Sequence, residues 1–211
     1  ENWMNKYFSC SEKVKIDLFL RYGSIAAAGD RHLAEFCPGD WYLKDKETVE
    51  KWGFALTPVS WRKGDLEKRL ERSEKLYSGE EKFELKETGE EGVQQIRALL
   101  GLGDLVTNVN IPNYGQIPNL PIGAVVETNA CFRANSLNPV FAGNIPQAIY
   151  PLISRVCGEQ EQVVDCALNR DLDGVFNAFA ADPNMCISVS DARKLFDEMV
   201  DNTKEYLKMY F

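Results

Sequence analysis

The residues best equipped for chemistry sit in one short run, Asp30-Arg31-His32, directly behind Gly23-Ser-Ile-Ala-Ala-Ala-Gly29. A carboxylate there can take or give a proton, and a guanidinium beside it can fork onto an anionic group. The same aspartate can do something plainer. After a glycine, Asp often accepts hydrogen bonds from the free amides of a helix start. The residue types leave the two readings level. His32 is the sole histidine, and a lone His is more often structural. A second set, Asn110-Ile111-Pro112-Asn113, leaves an alternating segment into an uncharged loop. Side-chain amides offer donor and acceptor together, which suits sugar hydroxyls. Asn and Pro also make turns with no ligand at all.

These residues need elements to hold them. Residues 11–22 place Val14, Leu18 and Arg21–Tyr22 at helical spacing, with Ser11 as candidate cap and Gly23 as stop. Pro38-Gly39 closes the stretch that carries Asp30. Residues 62–91 hold 18 charged side chains of both signs around a sparse stripe of Leu66, Leu70, Ser73–Glu74 and Tyr77. With i,i+4 pairs Asp65/Arg69 and Glu71/Lys75, this predicts a long solvent-facing helix with a frayed, Gly-containing end. A short helix is predicted over 90–100. Leu105–Ile111 alternates as a strand does, and Ala124–Thr128 reads as a second β-like segment. Beyond Pro146 the pattern is helical: Ile149 to Leu168, then Val175 to Ala180, ended by Asp182-Pro183, then a last helix capped by Ser190. Helices flank few strands without regular βαβ alternation, which predicts an α+β fold.

The chain has 211 residues, 45% of them hydrophobic, and a net charge of −8. That supports a packed core and argues against general nucleic-acid or anionic-membrane binding, which rest on clustered positive charge. The two uncharged stretches, 105–126 and 134–154, are each broken by three prolines and do not read as membrane spans. No basic-then-apolar leader opens the chain, whose first residue is Glu1. Six cysteines (Cys10, Cys37, Cys131, Cys157, Cys166 and Cys186) form no C-x-x-C pair. We read them as free thiols in a reducing, cytoplasmic compartment rather than as staples or a zinc site. There is no G-x-G-x-x-G, no phosphate loop, no G-x-S-x-G and no H-E-x-x-H.

Taken together, the two motif regions resemble glycoside hydrolase family 4. The run Tyr22-Gly23 to Gly29-Asp30-Arg31-His32-Leu33-Ala34-Glu35-Phe36 is similar to the family segment that bears its acid/base carboxylate. Val109-Asn110-Ile111-Pro112-Asn113, then Gly115 and Ala124-Val125-Val126-Glu127, resembles the family's N-x-P-N loop and following strand. The similarity continues to Ala167-Leu168 and Asp182-Pro183. It looks closest to the α-galacturonidase and α-glucosidase-like branch.

That resemblance implies a lactate-dehydrogenase C-terminal-domain-like fold, an antiparallel sheet with packed helices, with residues 1–211 forming one substrate and oligomerisation domain. The family's chemistry departs from two-carboxylate displacement. NAD⁺ takes hydride from C3 of the sugar, a base removes the acidified C2 proton, and Mn²⁺ or another divalent metal holds O2 and O3. The glycosidic oxygen leaves, water adds, and the hydride returns. The resemblance gives Asp30 the catalytic base role. It makes Arg31, His32, Asn110 and Asn113 substrate-binding: Arg31 toward a uronate carboxylate, Asn110 toward sugar or nearby loop, and His32 standing behind them. The family's N-terminal Rossmann half, with its cofactor glycines and its Cys and His metal ligands, has no counterpart here. We therefore expect no NAD or metal on this chain alone, no turnover by it alone, and a partner in that absent half. A homodimer or homotetramer is also expected. Two alternatives stand beside this reading: a non-catalytic oligomerisation module, and the substrate domain of a lactate or malate dehydrogenase, whose histidine pattern is not seen around His32.

Overall fold

A computed structural model describes residues 12–86 and 88–210. Cys10 and the candidate cap Ser11 lie outside the described residues. The chain divides into two units. One comprises Glu1–Phe54, Thr107–Ala130 and Pro139–Phe211; the other comprises Ala55–Val106 and Cys131–Asn138.

In the first unit, helices α1 (Lys13–Tyr22), α2 (Asp30–Glu35), α3 (Gly39–Tyr42) and α4 (Lys46–Trp52) make a corner. Its core is Val14, Leu18, Ala34, Cys37 and Tyr42, with Trp52 edge-on to Tyr42 at 4.9 Å between ring centroids. Gly23 ends α1 in the left-handed conformation at φ 70°, where a side chain would be strained. Helices α7 (Tyr150–Asn169), α8 (Leu172–Ala181) and α9 (Val189–Thr203) follow later in the chain. A core of Phe176, Ala192 and Phe196 joins α8 to α9. Gly174 lets α8 approach α7: a Cβ there would collide with Cys166 Sγ and the Asp171 carboxylate. Arg170 takes φ 58° to end α7. Ser188, not Ser190, caps α9, accepting from the Asp191 amide at 3.2 Å. Ser190 falls inside the first turn, two residues too late to serve. Two short 3₁₀ turns, Lys204–Tyr206 and Lys208–Tyr210, close the described chain.

The second unit holds α5 (Val59–Ser78) and α6 (Gly92–Leu99). No residue of α5 is buried, as its charge density predicts. Asp65–Arg69 and Glu71–Lys75 pair along it at 3.1 and 2.6 Å.

Strands β1 (Leu105–Pro112), β2 (Val125–Arg133) and β3 (Ser136–Pro139) form an antiparallel sheet in the order β1-β2-β3. Burial alternates along β2, with Val126, Thr128, Ala130 and Phe132 inward. The strand thus runs five residues past the segment legible from sequence, and β3 was not legible at all. The turn between them rests on Asn135 at φ 54°. The α+β class and the antiparallel sheet with packed helices are those of the expected fold.

Candidate functional site

Asp30 is the first residue of α2, yet its carboxylate serves α1. Oδ2 accepts from the Val14 amide at 2.9 Å and Oδ1 from the Lys15 amide at 3.0 Å. The reason is local. Glu12, which precedes α1, makes no side-chain cap, so the first-turn amides of α1 need an acceptor from elsewhere. The turn over 23–29 brings Asp30 back to supply it. The side chain is 7% exposed. Of the two readings the sequence left level, this geometry is the capping one, applied to a neighbouring helix rather than its own.

Arg31 and His32 stand on the accessible side of α2. Arg31 Nη2 lies 3.2 Å from His32 Nε2, and His32 Nδ1 lies 3.3 Å from Glu35 Oε2. That chain of contacts places the imidazole proton on Nδ1, with Nε2 accepting from the guanidinium. Asn184 Nδ2 donates to the Glu35 carbonyl at 2.6 Å and ties the end of α2 to the turn before α9.

The second motif divides at Pro112. Asn110 lies on the exposed face of β1. Asn113, three residues on, is fully buried. Its Oδ1 accepts from the Gly115 and Ile117 amides, both at 3.1 Å. Its Nδ2 lies 2.9–3.1 Å from the carbonyls of Ile117, Leu120 and Pro121. Every polar atom of this side chain is engaged by the loop it organises, so its geometry is that of turn chemistry. Gln116 reinforces the loop, accepting from the Tyr114 amide at 2.7 Å and donating to the Pro112 carbonyl at 3.0 Å.

The motif regions meet around one open groove of about 660 Å³ in the first unit. Tyr22, Ile25 and Phe36 come from the first motif, Ile117 and Val126 from the second, and Ile153 from α7. Glu127 and Glu161 add acidic groups to an otherwise largely apolar lining. None of Asp30, Arg31, His32, Asn110 or Asn113 is among the lining residues. The structure therefore brings the two motif backbones to one place without bringing the five candidate side chains together.

Beside the groove is a network that sequence reasoning missed. The Arg21 guanidinium lies 4.2 Å over the Trp41 ring and 5.2 Å over Tyr22. It also reaches Asp17 Oδ2 and Tyr42 Oη, both at 3.4 Å, and Tyr42 donates to Asp17 at 2.6 Å. Burial, with Asp17 as a hydrogen-bonded neighbour, pushes the Tyr42 phenol up. Burial likewise pushes the Cys37 thiol up to about 11, against the opposing pull of Arg21. The available signal was Asp17 and Arg21 four apart on one helix face, followed by three aromatics. As for a metal, no three His, Cys, Asp or Glu side chains converge among the described residues. With Cys37 held as a thiol and His32 engaged by Arg31 and Glu35, these residues do not fit a metal centre.

The model of the family 4 glycosyl hydrolase C-terminal domain matches residues 1–185. The chain is 65% identical over 206 residues to an α-galacturonidase of Thermoanaerobacterium saccharolyticum, covering 98% of this chain and 44% of that protein. It is 47% identical over 200 residues to an α-galacturonidase of Bacillus subtilis, covering 95% and 44%. The chain thus spans less than half the length of these relatives. Among solved structures, one carried under the name glucosidase lplD of Bacillus subtilis superposes with a TM-score of 0.82 at 47% identity, covering 94% of this chain and 45% of that one. A 6-phospho-α-glucosidase from gut microorganisms, solved with NAD and Mn²⁺, shares the fold at a TM-score of 0.58 and 19% identity, covering 97% and 44%.

Proposed function

The chain belongs to family 4 of the glycosyl hydrolases, as its C-terminal domain, and on that premise we propose that it is the substrate-side portion of an enzyme hydrolysing α-galacturonides. One observation carries this reading: the 65% identity to an α-galacturonidase runs across 98% of the chain and so includes both motifs. The half-buried Arg31 suits it, since a uronic acid differs from the corresponding neutral hexose by a carboxylate that a guanidinium can grip in two-point fashion.

In this proposal Arg31 meets the uronate carboxylate, His32 and Glu35 hold the guanidinium in place, and Asn110 offers its amide to a sugar hydroxyl. Asn113 shapes the loop that follows. Asp30 retains the proton-transfer role at C2 that the resemblance gives it, and to perform it the carboxylate must exchange at least one α1 amide for substrate. NAD and the divalent metal, held by solved family relatives, are assigned to polypeptide beyond this chain. When bound they supply the redox and Lewis-acid chemistry of the reaction.

The test is turnover by the whole protein, supplied with NAD⁺ and Mn²⁺, on 4-nitrophenyl α-galacturonide and on the matching α-galactoside. The expected result is release of nitrophenol from the galacturonide, at least tenfold slower from the galactoside. Arg31→Met should erase that preference chiefly through KM for the acidic sugar. Equal rates on both sugars with the native protein, or none on the galacturonide, would overturn the reading.

A further inference from the structure

Helix α2 stops at a hydrogen bond that it does not make. The next helical step would join the Glu35 carbonyl to the Gly39 amide, four residues on. Pro38 stands between them and has no N–H with which to continue the turn. Both halves of that bond go instead to one dipeptide from far along the chain. Gly39 donates to the Pro183 carbonyl at 3.0 Å, and the Glu35 carbonyl accepts from Asn184 Nδ2 at 2.6 Å. Pro183-Asn184 thus bridges α2 and α3 in place of one more helical bond. The approach is close. A Cβ on Gly39 would lie 3.0 Å from Cys186 Sγ and 3.3 Å from Asn184 Oδ1.

The chain prepares Asn184 for this contact. Helix α8 ends at Asp182, whose Oδ1 accepts from the Asn184 amide at 2.7 Å and so sets the Asn184 backbone. Asn184 is exposed and adds nothing to a core; what it holds is the last carbonyl of α2.

That carbonyl controls the face of α2 that carries Arg31. The last turn of a short helix frays unless its carbonyls find donors. Glu35 and His32 face each other only while their i,i+3 spacing is helical. Their contact, His32 Nδ1 to Glu35 Oε2 at 3.3 Å, leaves Nε2 to accept from Arg31 at 3.2 Å. Asn184 thus holds Glu35, Glu35 holds His32, and His32 holds Arg31.

We propose that Asn184 is a positioning residue for recognition of the substrate's carboxylate: by holding the Glu35 carbonyl it keeps Glu35 against His32, and His32 against the Arg31 guanidinium. The role in recognition rests on the assignment of Arg31 to a uronate; the tie to His32 does not.

His32 is the only histidine of the 211 residues, so the imidazole nitrogen-15 signals of the chain belong to it alone. At pH 8 the native chain should show a protonated Nδ1 and an unprotonated Nε2 as two well-separated signals. Asn184→Ala and Asn184→Asp, the second nearly isosteric but without the amide donor, should each draw the two signals toward an average of both tautomers. In the whole enzyme with NAD⁺ and Mn²⁺, either variant should raise KM for 4-nitrophenyl α-galacturonide about fivefold, with kcat within about twofold and KM for the α-galactoside unchanged. A purely structural role would move both sugars alike. Unaltered imidazole signals in both variants overturn the proposal, as does an equal rise in KM for the two sugars. If the native enzyme does not turn over the galacturonide, the assignment of Arg31 has failed, and the imidazole signals decide the tie by themselves. Should N184A lose its helical circular dichroism, N184D decides.

Discussion

At the scale of single residues, Asp30 illustrates how one side chain can satisfy two descriptions. As a cap for α1 it replaces an acceptor that Glu12 does not provide. Asp30→Ala should lower the stability of the chain by about 2 kcal/mol, read as a shift in the urea midpoint. Asp30→Asn, which keeps one amide-accepting oxygen, should recover about half of that loss. In the whole enzyme the proposed proton transfer makes the opposite demand, and Asp30→Asn should then lose activity as completely as Asp30→Ala. The residue types alone could not separate these roles, because the helix to be capped lies 15 positions earlier in the chain. Cys37 and Tyr42 give a prediction with a definite sign. Both groups hold their protons more tightly folded than unfolded. Between pH 9 and about 11 the unfolded thiol ionises while the folded one does not. Stability is therefore whole below that window and falls as pH rises through it. Urea midpoints at pH 8 and 10.5 measure the fall, and Cys37→Ala should make it shallower.

At the scale of elements, the loop after β1 depends on Asn113. Asn113→Ala strands several buried polar groups and should destabilise by on the order of 3 kcal/mol. Asn110→Ala, on the exposed face of the same strand, should stay within about 0.5 kcal/mol. Thermal denaturation of the two variants side by side tests that contrast. Much at this scale was legible in sequence. The helix over α1, the charged α5, the strand ending at Pro112 and the break at Asp182-Pro183 all follow from periodicity and punctuation. The failures have physical causes. The second half of β2 alternates around Ala130, whose methyl is too small to mark a buried face. Strand β3 has four residues and no β-branched side chain, and it is set by the left-handed Asn135 before it. The cap of α9 is Ser188 because Asp191, three residues on, presents its amide to it. Arg170, held left-handed at the end of α7, should be improved on by glycine, with Arg170→Gly raising stability by about 0.5 kcal/mol.

At the scale of the whole molecule, family and fold class were carried by two motifs in order, while the convergence of the five candidate side chains was not. The backbones of both motifs reach one groove, but alternation along β1 and burial of Asn113 decide which amide is outward. That information lies in pairing and loop closure rather than in residue type. The α1–α2 junction has a further use as a reporter. Because Asp30 guards the Val14 and Lys15 amides, the hydrogen isotope exchange rate of those two groups records where its carboxylate is. A ligand that recruits the carboxylate, as proposed for Asp30, should unlatch them, and deuterium should then enter the first turn of α1 faster in the occupied enzyme than in the empty one, reversing the slowing that ligands usually impose.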